Sequence, residues 1–385
     1  MNVPPVSELL RRLVSIPSVN PALADDDSIR NEARMVEWLE PWFAARGFET
    51  RRVGNTPGRP NLLAGFGAAA PEKTILFESH LDTVGVSGFQ GDPFGLREEN
   101  GRLYGRGACD TKGPLAAFMA ALDDETLGAL AKSKTKIVWL GAIGEETGNL
   151  GAEEAVADGL RADECVVLEP TALRIVHAHK GACWFTVATR GRAAHASDPA
   201  RGDNAILKMP AVWRILGEEA AAAAKAHSSA ALGRPTVSVG TIRGGTGTNV
   251  VPDRCEIQVD RRLMPGETAA RVLDDVRRRL EAIPGGVEIG LLKEGLPFHT
   301  DVGAALVGNF GAALRATGVE PVREGAAWCS DAGPLASACG ETIVWGPGDI
   351  AQAHTADEYV EAASLEAARE TLRRFLLNIH CLRDA

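Results

Sequence analysis

Residues 136–149 read KIVWLGAIGEETGN. The first half is an apolar run that ends in glycine. The second half carries two adjacent glutamates, Glu145 and Glu146. A short apolar run bounded by turn residues is the pattern of a strand buried on both faces. The pattern recurs at 61–66 (NLLAGF), 74–78 (TILFE) and 164–168 (ECVVL). Helical spacing falls between these runs. Residues 29–47 place Ala33, Val36, Trp38, Leu39, Trp42 and Phe43 on one face, with Gly47 as a stop. Residues 113–130 read as one helix, and another lies near 152–158. The expected fold class is α/β, with a mixed, largely parallel sheet flanked by helices.

Beyond residue 180 the texture changes. A strand at 183–189 precedes a long Ala-rich helix at 204–226. Strands at 236–242 and 255–261, a helix at 267–282 and a strand at 287–292 complete the segment. That βαββαβ order is the ferredoxin-like unit. The reading is therefore an inserted domain at 181–293 within a larger domain made of 1–180 and 294–385.

Bulk properties narrow the function classes. At 385 residues the chain exceeds the usual limit of a single core. Its net charge is −10, with 51 acidic against 41 basic residues. An acidic balance argues against nucleic acid or an anionic membrane as partner. Seven scattered cysteines without a CxxC pair argue against a disulfide framework and for a reducing, cytoplasmic setting. The opening MNVPPVSELLRRLVSIPSVN reads as a short amphipathic helix, unlike the basic-then-apolar pattern of a signal peptide. No apolar run approaches bilayer-spanning length.

The chemistry-bearing residues collect where strands end. The 74–78 strand runs into Ser79-His80-Leu81-Asp82. The 136–140 strand is followed by Glu145-Glu146, and the 164–168 strand by Glu169. The loop GRGACDTKG places Asp110 before a helix, and GPGDIAQAH delivers His354. Ligands of α/β sheets gather outside the carboxyl ends of strands. Two imidazoles and several carboxylates form a donor set that zinc accepts. Five ligands are too many for one catalytic zinc, but they suffice for two ions sharing a carboxylate, ~3.5–4 Å apart. Each residue alone has a simpler explanation. His80 could sit satisfied in a core, Asp110 could cap a helix, Glu169 could be a loop acid, and His354 is unexceptional. The i, i+2 spacing of His80 and Asp82 would let Asp82 accept the second imidazole N–H. His177 and His179 share that spacing without an accompanying acid and read as structural. His227, His299 and His380 read as surface or core residues.

The segments SHLDTV, GRGACDTKG, GEETGN, LEP, GRAAHAS, GGTGTNVVPDRCEIQVDRR and GPGDIAQAHTADEYV, in this order, resemble the M20 metallopeptidases and deacylases. The resemblance spans almost the whole chain. It implies two Zn2+ ions, replaceable by Co2+, with His80 and Glu169 on one, Glu146 and His354 on the other, and Asp110 bridging. It implies Glu145 as general base, Asp82 as the partner of His80, and a cis peptide after Asp110. It also implies that the inserted domain is a lid and homodimerisation domain. His195 would stabilise the oxyanion in the neighbouring subunit's site, and Asn249 and Arg262 would grip the substrate. Taken singly, those three read as a loop histidine, a turn residue and an exposed strand charge. The tail GPGDIAQAHTADEYV is most similar to that of acetylornithine deacetylases, implying hydrolysis of N2-acetylornithine. Succinyl-diaminopimelate, other N-acyl amino acids and dipeptides are the rival substrates. A metal-binding member without catalysis is the rival class, opposed by the complete ligand set. Ser330-Asp331 is expected either to shape the pocket or to cap a helix.

Overall fold

The computed structural model describes residues 3–226, 228–281, 283 and 285–381. His227 and the side chain of His380 lie outside the described set. The chain forms two compact units. One comprises Met1–His177, His299–Glu324 and Ser330–Ala385, and the other Ala178–Phe298 and Gly325–Cys329.

In the first unit the strands pair in the order Glu49–Val53, Asn61–Gly67, Thr135–Ala142, Lys73–His80, Ala162–Val167 and Cys339–Val344; the first, ETRRV, is polar and lies outside the apolar pattern. The last four run parallel to one another, and the first two are antiparallel to their neighbours. The fold is the mixed α/β sheet expected. Ile75, Phe77, Ile137, Trp139, Val166 and Ile343 are buried in one core with the helices Val6–Val14, Ala33–Ala44, Lys112–Ala121 and Ala362–Leu377. The amphipathic reading of the opening residues corresponds to the first of these helices.

The expected single helix at 113–130 is two, Lys112–Ala121 and Asp124–Ala131. Asp123 is extended and accepts Thr126 N–H through its side chain, so it starts a second helix instead of continuing the first. A short acid offers the backbone a capping bond that competes with helix propagation.

In the second unit four antiparallel strands lie in the order Thr236–Gly244, Arg254–Leu263, Gly181–Arg190, Val287–Gly295. The helices Ala205–Lys225 and Ala269–Leu280 pack their apolar residues against one face. Chain order and strand order are those of a ferredoxin-like βαββαβ unit. Among the described residues no helix is long and apolar enough to cross a membrane.

Candidate metal centre

Three parallel strands bring one imidazole and three acids to one edge. Strand Lys73–His80 ends on His80, strand Ala162–Val167 leads into Glu169, and strand Thr135–Ala142 leads into the turn that carries Glu145 and Glu146. That turn leaves the strand's alternation. Gly144 has φ +71°, which glycine adopts without steric cost, and residues Glu145–Gly148 form one helical turn. The Gly144 amide donates to the buried Glu32, which is gripped by Arg59. The two glutamates therefore face one site although they are neighbours in sequence.

Asp110 lies at the centre. One of its oxygens is 2.9 Å from His80 Nε2, and the other is 3.4 Å from His354 Nε2. Glu169 stands 3.8 Å from His80 Nε2, and Glu146 stands 3.0 Å from His354 Nε2. His80, Asp110 and Glu169 offer ligand atoms within 4.8 Å of one another, and so do Asp110, Glu146 and His354. Among the described residues these are the two groups that could hold a metal ion, and they share one carboxylate. The Asp110–Thr111 peptide is cis.

The electrostatics fit a cation. Burial, with Asp110 alongside, pushes Glu146 up to about 7. Burial also pushes Glu145 and Glu169 well above the usual carboxylate range. Burial opposes charge on His80, but pairing with Asp110 and Asp82 outweighs it and raises the imidazole well above its ordinary value. His354, hydrogen-bonded to Asp110 and Glu146, is raised to about 10. A hard-to-borderline divalent ion suits this N/O donor set and would supply positive charge among these acids.

Asp82 meets His80 through two groups and has a second task. His80 Nδ1 donates to the main-chain oxygen of Asp82 at 3.0 Å, while the nearer carboxylate oxygen is 3.6 Å away. Its carboxylate also accepts the amides of Glu145 and Glu146 at 3.1 and 3.2 Å, and Asn20 Nδ2 at 2.7 Å. One residue thus orients the imidazole by its backbone and the glutamate turn by its side chain.

Sequence reasoning missed three supporting residues. Buried Glu358 accepts the amides of Gly107, Cys109 and Asp110 and a guanidinium N–H of Arg106, so it holds the loop bearing Asp110. Asn20 ties Asp82 to Thr147. Asn149 Nδ2 bonds Asp331 at 2.9 Å. Asp331 makes no side-chain capping bond, whereas Ser330 Oγ accepts from Ala332 N–H. The nearest signals were the acid four residues beyond His354 and the asparagine closing GEETGN.

His195, Asn249 and Arg262 belong to the second unit. His195 Nδ1 meets Ser197 Oγ at 2.7 Å, and its loop pairs with that of Asn249 through Ala196 N–H and Asn249 O. Both residues are exposed. Arg262 is half-buried and bonds Asp260 at 3.1 Å and Ala327 O at 3.5 Å. His177 donates to Thr300 O and is buried, and His179 packs on the edge of Phe298.

A family model for peptidase family M20/M25/M40 matches residues 76–378. The chain belongs to that family. As an M20-family member it is a metal-dependent hydrolase of amide bonds. Its fold is similar to that of a tripeptidase from Staphylococcus aureus (19% identity, 98% of each chain covered, TM-score 0.76). It is also similar to an M20 family metallo-carboxypeptidase from Sulfolobus solfataricus (19% identity, 97% of this chain and 98% of that one, TM-score 0.78). A dinuclear metal binding M20 peptidase from Bacillus subtilis matches over 97% of both chains at 14% identity, with a TM-score of 0.70.

Proposed function

We propose that this M20-family member is a two-metal hydrolase that removes the acyl group from a small N-acyl amino acid. The observation that carries the reading is Asp110, which turns one carboxylate oxygen toward each histidine. His80 and Glu169 would hold one ion, Glu146 and His354 the other, and Asp110 both. Zinc is the metal we assign, with cobalt as a substitute. Bound there, two such ions would polarise the substrate carbonyl and acidify water.

Glu145 is the general base in this reading. It lies beside a ligand carboxylate but belongs to neither metal-holding group. Its carboxylate takes a proton from the attacking water and returns it to the leaving amine. Asp82 holds the Glu145 and Glu146 amides and so keeps base and ligand in register. In the second unit His195 would stabilise the oxyanion in a partner subunit's site. Asn249 and Arg262 would hold the substrate, Arg262 by its guanidinium fork on a carboxylate. The second unit would serve as lid and homodimer interface.

For the substrate, the segment GPGDIAQAHTADEYV favours N2-acetylornithine, and dipeptides and other N-acyl amino acids are the rivals. The test is release of free amine from acetylornithine, succinyl-diaminopimelate and a set of dipeptides, with zinc or cobalt supplied. Glu145→Gln should keep both metals and lose about 10²–10⁴-fold in turnover. Near-native turnover by that variant would sink the base assignment. Preference for a dipeptide would replace the deacylase reading with a peptidase one.

A further inference from the structure

Asn149 closes the glutamate turn in an unusual way. It is 2% exposed, has φ +62°, ends one helical turn and starts the helix Leu150–Ala157, yet its side chain makes no capping bond. The side chain is spent on two acids instead. Nδ2 lies 2.9 Å from Asp331 Oδ1 and 3.4 Å from Glu145 Oε1. Both neighbours are acceptors, which fixes the orientation of the amide, since only the NH2 end can serve them. Asp331 is fully buried and comes from a distant part of the chain.

We propose that Asn149, anchored by Asp331, is a positioning residue for Glu145. It donates one amide hydrogen to Oε1 and leaves Oε2 to handle the proton. The shorter bond to Asp331 sets the amide plane, and the longer bond to Glu145 tightens when substrate fills the site, as catalytic hydrogen bonds often do. Without the clamp a glutamate side chain has three rotatable torsions with which to leave the line of attack. This inference rests on Glu145 being the base.

The test uses Asn149→Gly, because glycine accepts the left-handed backbone without strain. The variant should bind two metal equivalents by elemental analysis and keep KM within about twofold. Its kcat should fall about ten- to a hundredfold, the scale of a misplaced catalytic group. Loss of a donor to the charged carboxylate should also move the acid limb of the kcat–pH profile upward. A crystal structure should show the Glu145 side chain in more than one rotamer. Asp331→Ala should reproduce these changes. Asp331→Asn should restore activity, because its oxygen still accepts from Asn149. Its new NH2 would lie in the neighbourhood of Glu78, a buried carboxyl that interacts with Asp331. Should Asn149→Gly not fold, the Asp331 pair decides alone. Native kcat and acid limb in Asn149→Gly or Asp331→Ala, with Glu145→Gln inactive, would overturn the positioning role and leave the base intact. Activity loss that follows metal loss would overturn it as well. Full turnover by Glu145→Gln would bring down the base reading and this inference together.

Discussion

The Glu145-Glu146 pair shows how two like charges come to share a site. Neighbours on an extended chain point apart, but Gly144 ends the strand and one helical turn begins. The amides of that turn then converge on Asp82. At the same scale Glu358 has four donors on one buried carboxylate, all from the loop that carries Asp110 and three of them backbone amides. Removing it leaves Arg106 and three amides unmatched in a dry interior. Glu358→Ala is expected to cost about 3–5 kcal/mol, the range for breaking a buried pair, and to lower metal content because Asp110 loses its frame. Urea unfolding and elemental analysis check the two halves separately. His80 and Asp110 were legible in the sequence because their residue types announce metal chemistry. Glu358 and Asn149 were not, because a supporting acid or amide looks like any surface polar residue until its partners are known.

Among the elements, the break between Lys112–Ala121 and Asp124–Ala131 is the clearest departure from the sequence reading. Apolar spacing runs through both helices, so periodicity alone joins them. The Asp123 cap and its bond to Arg373 separate them. Asp123→Ala should destabilise the protein by about 1 kcal/mol, and Asp123→Asn by less, since asparagine also caps well. The Asp123 carboxyl is held below its ordinary value despite burial, by Thr126 and Arg373. Its stabilisation is therefore complete above roughly pH 4, the unfolded value, and fades as pH drops through the folded one. Denaturation midpoints of wild type and Asp123→Ala should converge in acid. The strands read from apolar runs needed no such correction, because a continuous apolar run ending in a polar turn has few other solutions; the polar strand Glu49–Val53 carries no such signal.

In the whole molecule, the candidate ligands come from segments spread between residues 80 and 354, all within the first unit. A cation that joins them stabilises the folded state through linkage, by about 4 kcal/mol at a thousandfold excess over Kd. Chelation should lower the melting temperature, and zinc should restore it. Reloading near pH 7 should release protons. Glu146 is pushed up to about 7 by burial and Asp110, and His354 is held protonated up to about 10 by Asp110 and Glu146. Below those values the groups carry protons that the metal must displace, so apparent affinity should rise with pH. Proton release measured in weak buffer tests this directly. In the second unit, strand Thr236–Gly244 is an edge of the sheet among the described residues, and Ile206, Leu207 and Ile242 are exposed, Leu207 at 75%. An open edge with apolar neighbours suits pairing with another copy. Were the proposed homodimer to form on this face, Leu207→Glu would shift it toward monomer in sedimentation velocity, and an unchanged species would argue against this face.

By itself the sequence determined the two-part α/β organisation, the inserted βαββαβ unit and the types of donor at the strand ends. These follow from local rules, since hydrophobic period sets element type and strand ends collect ligands. Only the tertiary structure decided that Asp110 shares its two oxygens between two histidines, and that Asp82 binds the glutamate turn through its carboxylate. It alone placed Glu358 and Asn149 against their acids and amides. Those pairings join residues as far as 252 positions apart. No periodicity encodes them, because they exist only once burial has removed the water that would otherwise satisfy each group.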